Sequence, residues 1–498
     1  MSALLRIQEL RNLEARARAA LAPGTLMQRA GCAAAQAVQG WQAGRGAAPT
    51  ASVLVLCGPG DNGGDGFICA TSLQELGYRC ICWAPLPSTT ADSLAARAKW
   101  TQRGGVVLEH LPSTETFDLV VDALLGIGAQ RPLGDSFLAA LRWVRERDCP
   151  ILALDVPSGL NADTGAWIGG IAGAPAQRTV TFIADKPGLH TLEGVQACGA
   201  VQIEALGLEQ AVKESAPAGQ LNAPERFAAL LHPRPYNCNK GDFGSVAIVG
   251  GARGMVGAAL LAARAAIRLG AGKVYVECIG APELSLDWLQ PELMCRTEQQ
   301  LPCVDVLVVG CGLGIDTQAR MRLGRVLSHD GPVVFDADAL NCFATDTGLS
   351  AQLRARPGLT VLTPHPGEAA RLLGVDAATV QQDRVTSALH LAQQCRATVV
   401  LKGAGTIVAE PSGHFLINPT GSAALASAGT GDVLAGMIGA LLGQCADGTA
   451  AVCAAVWLHG RAAELFGADL GLTASDIAPV AARALAELRK LHNGGRTP

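Results

Sequence analysis

Short apolar runs alternate with helical stretches along almost the whole 498-residue chain, and this alternation constrains the fold more than any other feature. In the first half the runs Ser52–Cys57 (SVLVLC), Arg79–Ala84, Asp118–Ala123, Ile151–Val156 and Arg178–Ile183 read as strands. Helical patterns lie between most of them, for example at Ser93–Gln102 and Ser136–Arg147. Apolar strands separated by helices belong to parallel sheets assembled from βαβ units. Around residues 207–240 the alternation lapses into Pro-, Gly- and polar-rich text such as HPRPYNCNKGDFG. It resumes at Ser245–Gly251 (SVAIVGG) and continues through KVYVEC, VDVLVVG, PVVFDAD, LTVLTPHPGE and ATVVLKG to helices spanning Thr430 to His492. The expected fold class is α/β with two domains, residues 1–210 and 225–498, joined by a linker at 211–224.

Such domains need many tight turns and small helix-contact residues, and the chain has 59 glycines with 49% hydrophobic but only 4% aromatic residues. A net charge of −4 provides no basic footprint for nucleic acid. The 16 cysteines form no C-x-x-C pair and mostly fall inside apolar runs, as Cys57, Cys278 and Cys453 do, which suits reduced thiols in a cytoplasmic chain. The segment LLRIQELRNLEARARAAL mixes charges among its leucines and reads as an amphipathic helix, not a signal peptide. The apolar stretch Val433–Gly443 is too short to span a bilayer. No membrane or nucleic-acid partner is expected.

The run SVLVLC leads into GPGDNGGDG, residues 58–66, which formally satisfies the dinucleotide pattern G-x-G-x-x-G. Two features oppose pyrophosphate cradling: Asp61 and Asp65 would repel phosphate, and the next strand, RCICWAP, ends without the acid that contacts a ribose. Asp122 at the end of one strand, and Asp155 and Ser158 at the end of the next, suggest an oxygen-rich pocket outside the strand ends, suited to a hard cation. Taken singly, each of these acids also fits a helix cap or turn.

Together GPGDNGGDG, VDALLGIG, LDVPSGL and TFIADKPGL resemble the YjeF N-terminal family of NAD(P)H-hydrate epimerases, over roughly residues 1–210. The resemblance implies a Rossmann-like three-layer α/β/α domain with potassium held by Asn62, Asp122 and Ser158. It implies substrate contacts from Asp61, Asn62, Gly63, Gly64, Asp65 and Asp155, and from the loop of Gly126, Ile127, Gly128, Ala129, Gln130, Arg131 and Pro132. Asp155 is the expected catalytic carboxylate. Asp61 stands where the family usually has asparagine. Lys186 reads either as a further polar contributor or as a surface lysine.

In the second half, ASAGTGDVLAG (Ala426–Gly436) places Asp432 at a helix start, where backbone N–H groups hold phosphate and an aspartate can act on a hydroxyl. Asp336 and Asp338 end one strand, His365 and Glu368 follow another, and Lys402 precedes a glycine turn between two strands. With GCGLG, DADALN, TPHPGE, KGAGT and GTGDVLAG, residues 225–492 resemble the ADP-dependent NAD(P)H-hydrate dehydratases, a ribokinase-like α/β family. The resemblance implies nucleotide contacts from Lys402, Gly403, Ala404, Gly405, Thr406 and Gly431. Substrate contacts would come from Ala258, Gly314, His365 and Asp432, with Asp432 as catalytic base, ADP as co-substrate and magnesium at its phosphates. Ser422, Ala423 and Ala424 depart from the family's usual loop.

The combined expectation is a homo-oligomeric cytoplasmic enzyme that epimerises (R)- to (S)-NADHX and NADPHX, then dehydrates the S form to NADH or NADPH. Two alternatives stand beside it: a ribokinase-like small-molecule kinase, and a first half that serves only as a nucleotide- or protein-binding scaffold.

Overall fold

A computed structural model describes residues 2–45, 51–112 and 115–494. The chain divides into two compact units, Ser2–Gly219 and Gln220–Pro498, and the fold class is α/β, as expected.

The first unit is built on a seven-stranded sheet. Its strands are β1 Ser52–Cys57, β2 Arg79–Trp83, β3 Val106–Leu108, β4 Leu119–Ala123, β5 Ile151–Leu154, β6 Arg178–Phe182 and β7 Ala200–Glu204. They lie in the order β3-β2-β1-β4-β5-β6-β7, and each neighbouring pair is parallel. Val53, Leu54, Val55 and Leu56 of β1 are fully buried because helices cover both faces of the central strands. The strand order reverses between β1 and β4, which opens a crevice outside their carboxyl ends. Helix Asp61–Glu75 leaves that point against the sheet; a Cβ on Gly63 would meet the Gly58 carbonyl oxygen at 1.9 Å, so only glycine allows this approach.

The stretch GPGDNGGDG is therefore only partly a loop. From Asp61 onward it is helix, because tight packing on β1 overrides the low helix propensity of glycine. The edge strands β3 and β7 escaped the sequence pattern, since β3 is a run of only three residues, none of them buried, and three of the five residues of β7 are exposed.

The second unit contains β8 Ser245–Gly250, β9 Lys273–Cys278, β10 Met294–Cys295, β11 Val306–Val309, β12 Val333–Phe335, β13 Thr360–Leu362, β14 Thr398–Leu401, β15 Ile407–Ala409 and β16 Phe415–Ile417. They are ordered β16-β15-β14-β13-β12-β11-β8-β9-β10. Pairing is parallel from β14 to β10, while β14, β15 and β16 pair antiparallel. Helix Thr430–Leu442 buries all but two of its residues and Gly448–Phe466 most of its own, so the apolar stretch 433–443 belongs to a core helix. Among the described residues no helix is long and apolar enough to cross a membrane. The sixteen cysteines are free.

Candidate active sites

The crevice of the first unit opens into a cavity of about 450 Å³, walled by Gly60, Asp61, Asn62, Asp65, Gly126–Ala129 and Asp155, with Leu26, Met27, Phe182 and Ile183 on its apolar side. Asp155 follows β5 with φ of 67°, a left-handed conformation that aspartate tolerates better than most residues and that turns the chain sharply off the strand. Its Oδ2 accepts the Ile127 N–H at 2.9 Å, and its Oδ1 pairs with Lys186 Nζ at 2.9 Å. A Cβ on Gly126 would fall 2.7 Å from Asp155 Oδ2 and 3.5 Å from Asn62 Cγ, so the glycine brings this loop against both side chains.

Asn62 Nδ2 donates to the Leu154 carbonyl at 3.3 Å, while its Oδ1 is buried without a hydrogen-bond partner. Asp122, fully buried at the end of β4, accepts the Ser158 N–H at 2.9 Å, the Ser158 hydroxyl at 2.6 Å and the Leu124 N–H at 3.2 Å. Burial raises the Asp122 carboxyl above its usual range although these hydrogen bonds act the other way. Burial, with the nearby charges of Asp155 and Asp61, pushes the Asp65 carboxyl well above its ordinary value. At the rim, Asp61 accepts from Arg18 Nη2 at 2.8 Å and from the Thr90 hydroxyl. An aspartate here, unlike an asparagine, forms an ion pair with that guanidinium.

In the second unit the side chains converge from the carboxyl ends of β11, β12 and β14 and from the start of helix Thr430–Leu442. Buried Asp336 accepts Lys402 Nζ at 2.7 Å and the Thr363 hydroxyl at 2.8 Å. Ala337 after it has φ of 50°, a strained value for alanine, which seats Asp336 and Asp338 on successive sides of one turn. Asp338 Oδ2 accepts the Gly314 N–H at 2.8 Å. Burial works against the Lys402 ammonium, but Asp336 and Glu368 outweigh it and raise the group above its ordinary value. Cys311 Sγ and carboxylate oxygens of Asp336 and Asp432 all lie within 4.8 Å of one another. Burial, then the Asp336 charge, lifts Asp432 to about 6, with Cys311 and Lys402 pulling the other way. A Cβ on Gly431 would stand 3.1 Å from Lys402 Nζ, so the helix start touches the lysine. His365 caps helix Pro366–Leu373 through Nδ1, which accepts the Gly367 N–H at 3.0 Å, and its side chain is half exposed.

Two family models match the chain: one described as YjeF-related protein N-terminus over residues 23–188, and one as NAD(P)H-hydrate dehydratase over residues 246–483. The chain is 39% identical over 464 residues to a bifunctional NAD(P)H-hydrate repair enzyme of Escherichia coli, covering 90% of this chain and 86% of that protein. The chain belongs to that family. A Coxiella burnetii protein of the same name is 33% identical, with 96% of this chain and 98% of that one covered. Among solved structures, an ADP/ATP-dependent NAD(P)H-hydrate dehydratase from Bacillus subtilis, co-crystallised with ATP and Mg²⁺, is 32% identical with a TM-score of 0.48, covering 54% of this chain and 98% of its own.

Within this family member the geometry sorts the expected residues. Asp61, Asn62, Asp65, Gly126, Ile127, Gly128, Ala129 and Asp155 line the cavity. Gly63 and Gly64 pack behind it, against Gly58 and Met27. Gln130, Arg131 and Pro132 are exposed and do not line it. Lys186 is no surface lysine: it is 1% exposed, and besides Asp155 it donates to the Thr181 hydroxyl and to the Phe182 and Ala184 carbonyls. Cys311 and Arg18 were not among the expected site residues, although Cys311 lies inside the motif GCGLG; each acquires its place through the aspartate it meets.

Proposed function

We propose that this protein repairs hydrated nicotinamide nucleotides, the first unit interconverting the epimers of NADHX and NADPHX and the second dehydrating the S epimer at the expense of ADP. The observation that carries this reading is the identity to the E. coli repair enzyme across both halves of the chain.

In the first unit the ring enters the cavity with carbon 6 toward Asp155. Loss of the hydroxyl leaves a cation spread over the ring nitrogen, and re-addition from the other face gives the other epimer. The Asp155 carboxylate, already oriented by Lys186 and the Ile127 N–H, stabilises that charge without having to reorganise. Asn62, Asp122 and Ser158 would hold potassium. Their hard-oxygen donors and the unpartnered Asn62 Oδ1 fit such an ion, whose charge when bound would favour the ionised Asp122.

In the second unit Asp432 takes the proton of the carbon-6 hydroxyl as that oxygen bonds to the terminal phosphorus of ADP and the bond to AMP breaks. The ring nitrogen lone pair then expels phosphate, and a proton leaves carbon 5 to restore the reduced nicotinamide. A carboxylate at about 6 is ionised at neutral pH yet basic enough to accept that proton. Lys402, with Gly403, Ala404, Gly405, Thr406 and Gly431, would contact the nucleotide, and Ala258, Gly314 and His365 the substrate. Magnesium on the phosphates would supply charge neutralisation.

The finer reading has residues 1–210 and 225–498 as the working domains around a 211–224 linker. It makes the enzyme a cytoplasmic homo-oligomer, supported by the free cysteines and by the exposed apolar pair Trp288 and Leu289. Pure (R)-NADHX supplied with ADP and magnesium tests the chemistry: recovery of NADH by the intact chain, and none by Asp155→Ala, is expected. Recovery that survives Asp155→Ala would remove the first unit from the reaction.

A further inference from the structure

Arg384 opens helix Arg384–Cys395, at the end of the macrodipole that disfavours a cation. It is also only 1% exposed, and burial lowers its guanidinium to about 10. A cation placed against both penalties is held by what it touches. Its Nη2 donates to the carbonyls of Leu401 at 3.3 Å, Lys402 at 3.2 Å and Gly405 at 3.5 Å, while Nη1 donates to Gln381 Oε1 at 2.8 Å. Gly403 lies directly over the fork with φ of 133°, and a Cβ there would come 2.8 Å from Nη1.

We infer that Arg384 is a positioning residue for the nucleotide: its buried guanidinium sets the backbone of the Lys402–Gly405 turn from behind. The inference rests on the reading that this turn carries ADP. In a trans peptide the carbonyl of one residue and the N–H of the next point in opposite directions. Drawing the Lys402 and Gly405 carbonyls onto Arg384 therefore turns the N–H groups of Gly403 and Thr406 away from it, outward from the turn. The same contacts fix the root of Lys402, whose Nζ reaches Asp336. The planar fork serves several carbonyls at fixed angles, which an ammonium on a flexible stem cannot do.

The test compares the intact chain with Arg384→Lys and with Gln381→Ala, which removes one anchor of the guanidinium and leaves the turn's own residues in place. KM for ADP, KM for (S)-NADHX, kcat and ADP affinity by calorimetry are measured for each. The second unit's own thermal unfolding, followed by calorimetry, serves as the folding control. Arg384→Lys is expected to raise KM for ADP and weaken ADP binding about tenfold, the scale of one lost charge-assisted hydrogen bond, with KM for NADHX changed less than about twofold. Gln381→Ala should move the same parameters in the same direction by a smaller factor. Unchanged ADP parameters in both variants would overturn the inference, as would parallel losses in both KM values. If Arg384→Lys does not fold, Gln381→Ala decides alone. A parent chain that dehydrates NADHX without ADP would instead refute the underlying reading.

Discussion

Replacing Lys186 by methionine gives the sharpest separation of structure from chemistry in the first unit. The change removes the ammonium that pairs with Asp155 at 2.9 Å and strands the Thr181, Phe182 and Ala184 acceptors in a site where the lysine is 1% exposed. Breaking a buried ion pair from one side costs about 3–5 kcal/mol. At about 2–4 °C per kcal/mol for a domain of this size, the unfolding midpoint of the first unit should fall by roughly 10 °C. Epimerisation should be lost, because Asp155 no longer has its orienting partner, while dehydration of pure (S)-NADHX continues. The assay is thermal unfolding with both activities measured on the same preparation. Lys186→Met/Asp155→Asn, which removes the stranded charge too, should regain part of the stability and none of the activity. A Lys186→Met protein with full stability and full epimerisation would refute the claim that this pair organises the site.

Other outcomes follow from the electrostatics and packing. Dehydration should decline on the acid side with an apparent pKa of about 6 as Asp432 takes up a proton. Asp336→Asn, which removes the raising charge and leaves Lys402 beside Asp432, should move that limb to lower pH in a pH–rate profile. The Asp65 carboxyl is raised by burial, so its contribution to stability is fully present below the ordinary carboxylate value and is lost as pH rises through the raised one. Asp65→Asn should therefore raise the first unit's unfolding midpoint at neutral pH, with the difference vanishing near about pH 4. Gly431→Ala should favour helix by about 1 kcal/mol yet raise KM for ADP several-fold, because the new methyl stands 3.1 Å from Lys402 Nζ. Calorimetric unfolding and ADP titration would show the two effects moving in opposite directions.

The strands that carry the sites were legible because they are buried on both faces and so read as unbroken apolar runs; β1, β4, β5 and β6 begin and end close to where those runs do. Asp122 and Asp155 were visible as acids at strand ends, and the reversal of strand order explains why both stand at one crevice. Lys186 was ambiguous, because its burial depends on a turn after β6 in which Ile183 takes φ of 69°, a conformation that a β-branched residue in ADKPG's approach does not advertise. Arg384 was invisible for a similar reason: D-R-V at a helix start reads as a solvated end until the β14–β15 turn, some twenty residues onward, folds over it. The helix beginning at Asp61 was hidden by its glycines, whose value lies in close packing and not in helix propensity. In each case the missing information was tertiary.

The central claim, two consecutive activities in one chain, is tested most directly by supplying the purified protein with an epimeric mixture of NADHX, ADP and magnesium and following reduced-nicotinamide absorbance to completion, with Asp432→Ala alongside. Recovery of NADH from both epimers, absent in the variant, is the predicted result. Recovery that stops when the S epimer is exhausted would contradict the epimerase assignment, and a phosphorylated product accumulating without restored absorbance would contradict the repair reaction itself.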